Sequence, residues 1–244
     1  MKERPILFSA PMVRAILEGR KTQTRRVILP QPQPVSNSYG FIEESAKYPG
    51  EWFQWYCGEP GPRFTCRYGV PGDRLWVEES WGIGDHGRLI ESCLNYRAGG
   101  QKPLIGHASP DTWSIAGNRR EINNADLLKV PDGWRNAMFM PRWASRLLLQ
   151  IESIEGERVQ DIGKESAIAE GLATVTKDGS LWKYGVPDLD GLPGTDDHGW
   201  PWAEWCVDPR DAYRKLWDSI NEKRGFGWDF NPYVWAVTFS EVTA

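Results

Sequence analysis

The segment Gly19-Arg20-Lys21-Thr22-Gln23-Thr24-Arg25-Arg26 gathers an ammonium, a hydroxyl and guanidiniums within a few residues. A helix reading ends at Gly19 and a strand reading begins near Thr24. Alternation along that strand puts Thr24 and Arg26 on one face, and Lys21 falls in the intervening turn. Lys21, Thr24 and Arg26 are therefore expected to converge at the mouth of a cleft. Such a set suits a phosphate or a polarised carbonyl. The same charges also read as a solvated basic turn.

Several elements would hold this segment in place. Ile6 to Phe8 reads as a short strand. Ser9 is a helix N-cap, with Pro11 tolerated in the first turn. Met12, Val13, Ile16 and Leu17 form an apolar stripe, and Gly19 closes the helix. Thr24 to Leu29 is a strand stopped by the proline-rich stretch 30–34. Asp73 to Glu78 follows a Pro71-Gly72 turn as a further strand, and Arg146 to Ile154 alternates as another. Asp161 to Glu170 reads as a short helix closed by Gly171. Asp208 caps the clearest helix, with Pro209 at N1 and a face of Ala212, Tyr213, Leu216, Trp217 and Ile220. Tyr233 to Val242 is the last strand. The stretches at about 31–65, 82–135 and 173–207 read as long loop insertions, the second with small hairpins. The order predicts one α+β domain over residues 1–244, built on a small mixed β-barrel with flanking helices.

Composition narrows the function. The chain has 244 residues, 40% of them apolar, which excludes wholesale disorder. Acidic residues number 33 against 29 basic ones, a formal net charge of -4 that argues against a general DNA-coating protein but permits a local basic groove. No apolar run approaches the ~20 residues of a membrane helix, and Met1 to Phe8 lacks a signal-peptide pattern. Four cysteines without close pairing suit a reducing cytoplasm. Cys57, Cys66, Cys93 and Cys206, with His86, His107 and His198, show no metal-ligand spacing, so neither metal nor cofactor is expected. Gly82 to Gly87 satisfies G-x-G-x-x-G but opens no helix, and is read as a flexible loop. There is no nucleophile elbow around a serine.

Gly19, Lys21, Thr24 and Arg26 occupy the four positions of the G-x-K-x-x-T/E-x-R signature, and the segment resembles that of the ASCH family, a branch of the PUA-like superfamily. Pro71 to Trp81, Met140 to Arg146, Ala169-Glu170-Gly171, and Leu216 to Asn221 followed by Trp228, Asn231, Pro232 and Trp235 are similar to the longer ASCH-like proteins of phages and prophages. The ordered set spans nearly the whole chain, outside the three insertions. The resemblance implies a PUA-like β-barrel with a cleft beside the first helix, binding RNA or a modified nucleoside. Small bacterial relatives remove the acetyl group of N4-acetylcytidine with a Lys and a Thr of the signature plus a downstream Glu, and other members are ribonucleases. Lys21 and Thr24 match by motif, and Glu170 is the candidate carboxylate by its place in Ala169-Glu170-Gly171. Glu170 would act as general base on water or on Thr24. Lys21 would hold the oxyanion or pass a proton, and Arg26 would position a phosphate or base edge. Glu170 reads equally as a helix-terminal carboxylate paired with an Arg or solvent.

The chain holds 14 tryptophans. Trp76, Trp81, Trp143, Trp217, Trp228 and Trp235 read as core. Trp200, Trp202 and Trp205 lie beside His198 in a loop-like stretch and are candidates to stack on a base. Arg142 and Arg146 flank Trp143 and would add phosphate contacts, or pack on it as a surface pair. Three readings compete: a hydrolase of nucleoside, nucleotide or RNA, a non-catalytic reader of RNA or a modified base, and a phage accessory or assembly protein gripping a protein partner through residues 173–207.

Overall fold

The computed structural model describes residues 1–32, 42–45, 51–56, 59–84, 93–99, 101–106, 112–115, 118–123, 134–195 and 198–242. Its strands are β1 (Glu3–Leu7), β2 (Gln23–Val27), β3 (Ile42–Glu44), β4 (Glu51–Tyr56), β5 (Glu59–Thr65), β6 (Arg74–Glu78), β7 (Trp81–Gly84) and β8 (Cys93–Tyr96). They continue with β9 (Gln101–Gly106), β10 (Thr112–Ile115), β11 (Asn118–Asn123), β12 (Leu148–Arg158), β13 (Ala173–Thr176), β14 (Trp182–Gly185) and β15 (Tyr233–Glu241). The α-helices are α1 (Ala10–Leu17), α2 (Lys164–Ala169) and α3 (Pro209–Asn221). The fold is therefore mixed α+β and rich in strands.

The central sheet has five strands in the order β1-β6-β12-β15-β2. β1 runs parallel to β6, and every other pairing is antiparallel. The parallel step requires a long connection. Alternating apolar positions build the core: Ile6, Leu75, Val77, Leu149, Ile151, Val237 and Phe239 are all buried, together with Val13 and Ile16 of α1. α1 carries the chain from one sheet edge, β1, to the other, β2. It ends as its glycine predicts, with Gly19 at φ 73° and the Arg20 and Lys21 amides both donating to Ala15 O.

Among the described residues no backbone ladder joins β1 to β2, so the sheet has two edges and not the closed barrel expected from the sequence. What links them is a side chain: Arg26 Nη2 donates to Leu7 O at 2.9 Å.

Two of the insertions are more ordered than a loop reading allows. β3, β4 and β5 form a three-stranded antiparallel sheet. It sends Trp52 into the core, edge-on to Trp235 at 5.4 Å. β7 to β11 form a five-stranded meander. Gly82 and Gly84 of the G-x-G-x-x-G match belong to β7, paired with β8, so the first half of that match is strand and not flexible loop. Its remainder, Asp85 to Gly87, lies outside the described residues, as do Cys57 and His107. The third insertion contains the β13–β14 hairpin, whose partner segment returns through a Tyr184–Cys206 bridge. No helix among the described residues is long and apolar enough to cross a membrane.

Candidate functional site

α2 ends against the α1–β2 turn, and this junction builds the site. Thr22 N donates to Ala169 O at 2.9 Å, and Lys21 bridges Glu170 in an isolated β-pair. Gly171 then takes φ 105°, which a side chain rarely adopts. A Cβ there would stand 3.1 Å from Ala15 Cβ and 3.2 Å from Lys21 Cβ. The glycine after Glu170 thus gives Lys21 room to lie flat against the helix end. Gly171→Ala is expected to destabilise the protein by about 1–3 kcal/mol, read by urea denaturation. An unchanged midpoint would show that this packing does not matter.

Lys21 is 3% exposed and Glu170 5%. Lys21 Nζ donates to Glu170 Oε2 at 2.8 Å, Glu170 O at 2.7 Å and Gln23 O at 2.8 Å, so all three of its protons are used. The ammonium also lies 5.5 Å from the centroid of the Phe8 ring. Burial pulls its pKa below the ordinary lysine value, although the Glu170 charge opposes this. The other carboxylate oxygen is held more loosely. Glu170 Oε1 accepts from Arg25 Nη1 at 3.3 Å and from the Tyr213 hydroxyl at 3.5 Å. Arg25 also donates to Glu157 Oε1 at 2.7 Å. One guanidinium therefore ties two carboxylates together below the sheet edge. Burial pushes the Tyr213 phenol well above its usual range, so it stays a proton donor.

This cluster lines a cleft of about 530 Å³. Phe8, Met12 and Trp235 give it an apolar floor, and Leu216, Trp217 and Ile220 of α3 form one wall. Ile220 is more than half exposed because it faces this opening and not the core.

The structure brings Lys21, Glu170 and Arg26 to the same cleft, with Gly19 in the turn leading into it. Thr24 does not line it, contrary to the expected convergence. Its side chain is fully buried, and among the described residues its Oγ1 has no hydrogen-bond partner. Alternation explains the result: the cleft lies on the side of Arg25, one residue along. Arg26 reaches it because β2 is an edge strand, so its guanidinium can fold over the Phe8 ring at 5.1 Å. Arg25 and Tyr213 are the members that the sequence reading missed. Tyr213 was visible only as part of the inward stripe of α3.

Arg142, Trp143 and Arg146 do not join the cleft. Arg142 Nε donates to Glu3 Oε2 at 2.8 Å. Trp143 packs edge-on against buried Trp81, at 5.8 Å. Arg146 grips Glu79 through two hydrogen bonds of 2.8 and 2.9 Å and lies 4.1 Å over the Tyr96 ring. This second cluster ties the meander to the central sheet, and its arginines are engaged by carboxylates.

The tryptophans of 173–207 are also less available than a loop would make them. Trp205 is buried, its indole donating to Trp200 O and its ring filling the space where Gly185 lacks a side chain. Lys177 and Lys183 lie over the Trp202 ring at 4.5 and 4.9 Å, and Lys215 lies over that of Trp200 at 5.0 Å. Trp182 and Leu189 on the same stretch are exposed. Cys66 is buried, which pushes its thiol up to about 11 and makes it unreactive. Among the described residues no group of three His, Cys, Asp or Glu side chains could hold a metal ion. No family model, curated protein or solved structure matches the chain.

Proposed function

We propose that this chain is an ASCH-type protein that binds a modified nucleoside in the cleft and hydrolyses the acyl amide on its base, as the resemblance to acetylcytidine amidohydrolases suggests. One observation carries the reading: a buried Lys21–Glu170 ion pair lines a cleft of about 530 Å³. That volume lies within the ~300–1,000 Å³ of small-molecule sites. It suits a nucleoside or nucleotide better than a long strand. A PUA-like curvature of the five-stranded sheet, brought round by α1 and the Arg26–Leu7 contact, belongs to the same proposal.

The chemistry follows from the two oxygens of Glu170. Oε2 is fixed by Lys21, whereas among the described residues Oε1 is held only by the long contacts to Arg25 and Tyr213. Oε1 takes a proton from water as that water adds to the amide carbonyl carbon. The carbonyl oxygen becomes an oxyanion, which Lys21 stabilises by exchanging one of its carbonyl partners for it. The tetrahedral adduct collapses, the C–N bond breaks, and Glu170 returns its proton to the leaving amine. The products are the carboxylic acid and the deacylated nucleoside. Because Thr24 lies outside the cleft lining, water and not the threonine hydroxyl is the nucleophile in this scheme.

Lys21 must be charged to hold the oxyanion. Its pKa is lowered, so kcat/KM for N4-acetylcytidine is expected to fall as pH rises through a value below the ordinary ~10.4 of lysine. A profile flat up to that pH would remove Lys21 from the role, and an absence of turnover at every pH would sink the hydrolase reading. A second reading, binding without chemistry, is favoured by one fact: every Lys21 proton already has a protein acceptor. It predicts cytidine binding without product. Attachment of a protein partner to the 173–207 stretch is a separate reading, favoured by the exposure of Leu181, Trp182, Leu189 and Leu192.

A further inference from the structure

Arginines that no carboxylate neutralises stand at the rim of the same cleft. Among the described residues five cations and two carboxylates line it, an excess of three positive charges in a chain whose formal net charge is -4. At the buried end the charges cancel, because Lys21 and Arg25 face Glu170 and, beyond the lining, Glu157. The excess therefore sits elsewhere, on Arg26, Arg67 and Arg224. Arg26 donates only to the backbone oxygens of Leu7 and Arg25. Arg67 lies over the Tyr68 ring at 5.4 Å, and Arg224 Nη1 donates to Asn221 Oδ1 at 3.2 Å. Among the described residues none of these three has an ion-pair partner. Arg67 and Arg224 are exposed, so they mark the mouth, while Lys21 and Glu170 mark the buried end. Glu78 is the other carboxylate of the lining and counts against one of these three charges, leaving an excess of two outside the buried end.

Guanidiniums are well suited to phosphate, since they present paired N–H donors and stay charged. We infer that the ligand is a nucleoside monophosphate, seated with its base toward Lys21 and Glu170 and its phosphate between Arg67 and Arg224 at the mouth. This rests on the proposed nucleoside reading and extends it from nucleoside to nucleotide. The bounded volume and the acidic remainder of the chain favour a single nucleotide over a strand, whose further phosphates would each need a cation.

The experiment is calorimetric titration of the full chain with cytidine, cytidine 5′-monophosphate and a cytidine-containing single-stranded oligoribonucleotide, repeated on an Arg67→Gln/Arg224→Gln variant. Circular dichroism would confirm that the variant is folded. Both residues are exposed, so the fold should be retained. The monophosphate is expected to bind at least about tenfold tighter than cytidine, and the double variant to lose that advantage. Equal affinity for cytidine and its monophosphate would overturn the inference while leaving the nucleoside reading intact. Binding of neither would overturn both. An oligoribonucleotide that binds far more tightly than the monophosphate would overturn the single-nucleotide assignment and give the arginines to an RNA strand.

Discussion

Glu170→Gln is expected to lower turnover by roughly 10²–10⁴-fold per folded molecule, the usual weight of a general base. The amide keeps the shape of the side chain and still accepts a hydrogen bond, but it cannot take a proton from water. The same change carries a folding cost. Lys21 is 3% exposed, and it loses the one carboxylate it pairs with among the described residues. Removing one partner of a buried pair destabilises by about 3–5 kcal/mol. Arg25 is less affected, because it retains Glu157. The measurement is initial rate corrected for the folded fraction, with denaturation followed in parallel. A stable variant with full activity would place Glu170 outside both roles.

The second large effect lies away from the cleft. Glu79 is 1% exposed, and Arg146 is its ion-pair partner. Arg146→Met would leave that carboxylate buried and alone, costing about 3–5 kcal/mol. Burial already raises the Glu79 pKa despite Arg146, so the unpaired acid would take up a proton more readily still. The double change Glu79→Met/Arg146→Met should recover most of the lost stability, since an apolar pair can replace a buried ionic one. Chemical denaturation of the two variants checks this. Turnover per folded molecule should not change in either. A loss of ligand binding by Arg146→Met, with stability intact, would return Arg146 to the ligand-contacting role that the sequence suggested.

The parts of the fold that could be read from the sequence were those with local punctuation. Pro11 and Gly19 bracket α1, and Asp208 with Pro209 starts α3, where Asp208 Oδ1 accepts from the Arg210 amide as a cap should. The alternating strands β6, β12 and β15 were visible for the same reason. The insertions were not. β5 carries Pro60 and Pro62, and β9 carries Pro103, residues that a sequence reading takes as strand breakers. Their partners are adjacent in sequence, β4 for β5 and β8 for β9, so the prolines and not distance along the chain hid them. At the site, the turn containing Lys21 and the helix end containing Glu170 were each legible, but their meeting depends on α2 docking against the α1–β2 turn. Arg25 escaped because the signature skips its position. Thr24 was misjudged because alternation says which residues share a face, not which face borders the cleft.

The most direct test of the central claim is release of cytidine and acetate from N4-acetylcytidine by the purified chain, followed by mass spectrometry with Glu170→Gln as the reference. Both products should appear in equal amounts with the wild type and fall to the uncatalysed rate with the variant. Binding of cytidine without any product from the wild type would contradict hydrolysis and leave a cleft that only recognises its ligand.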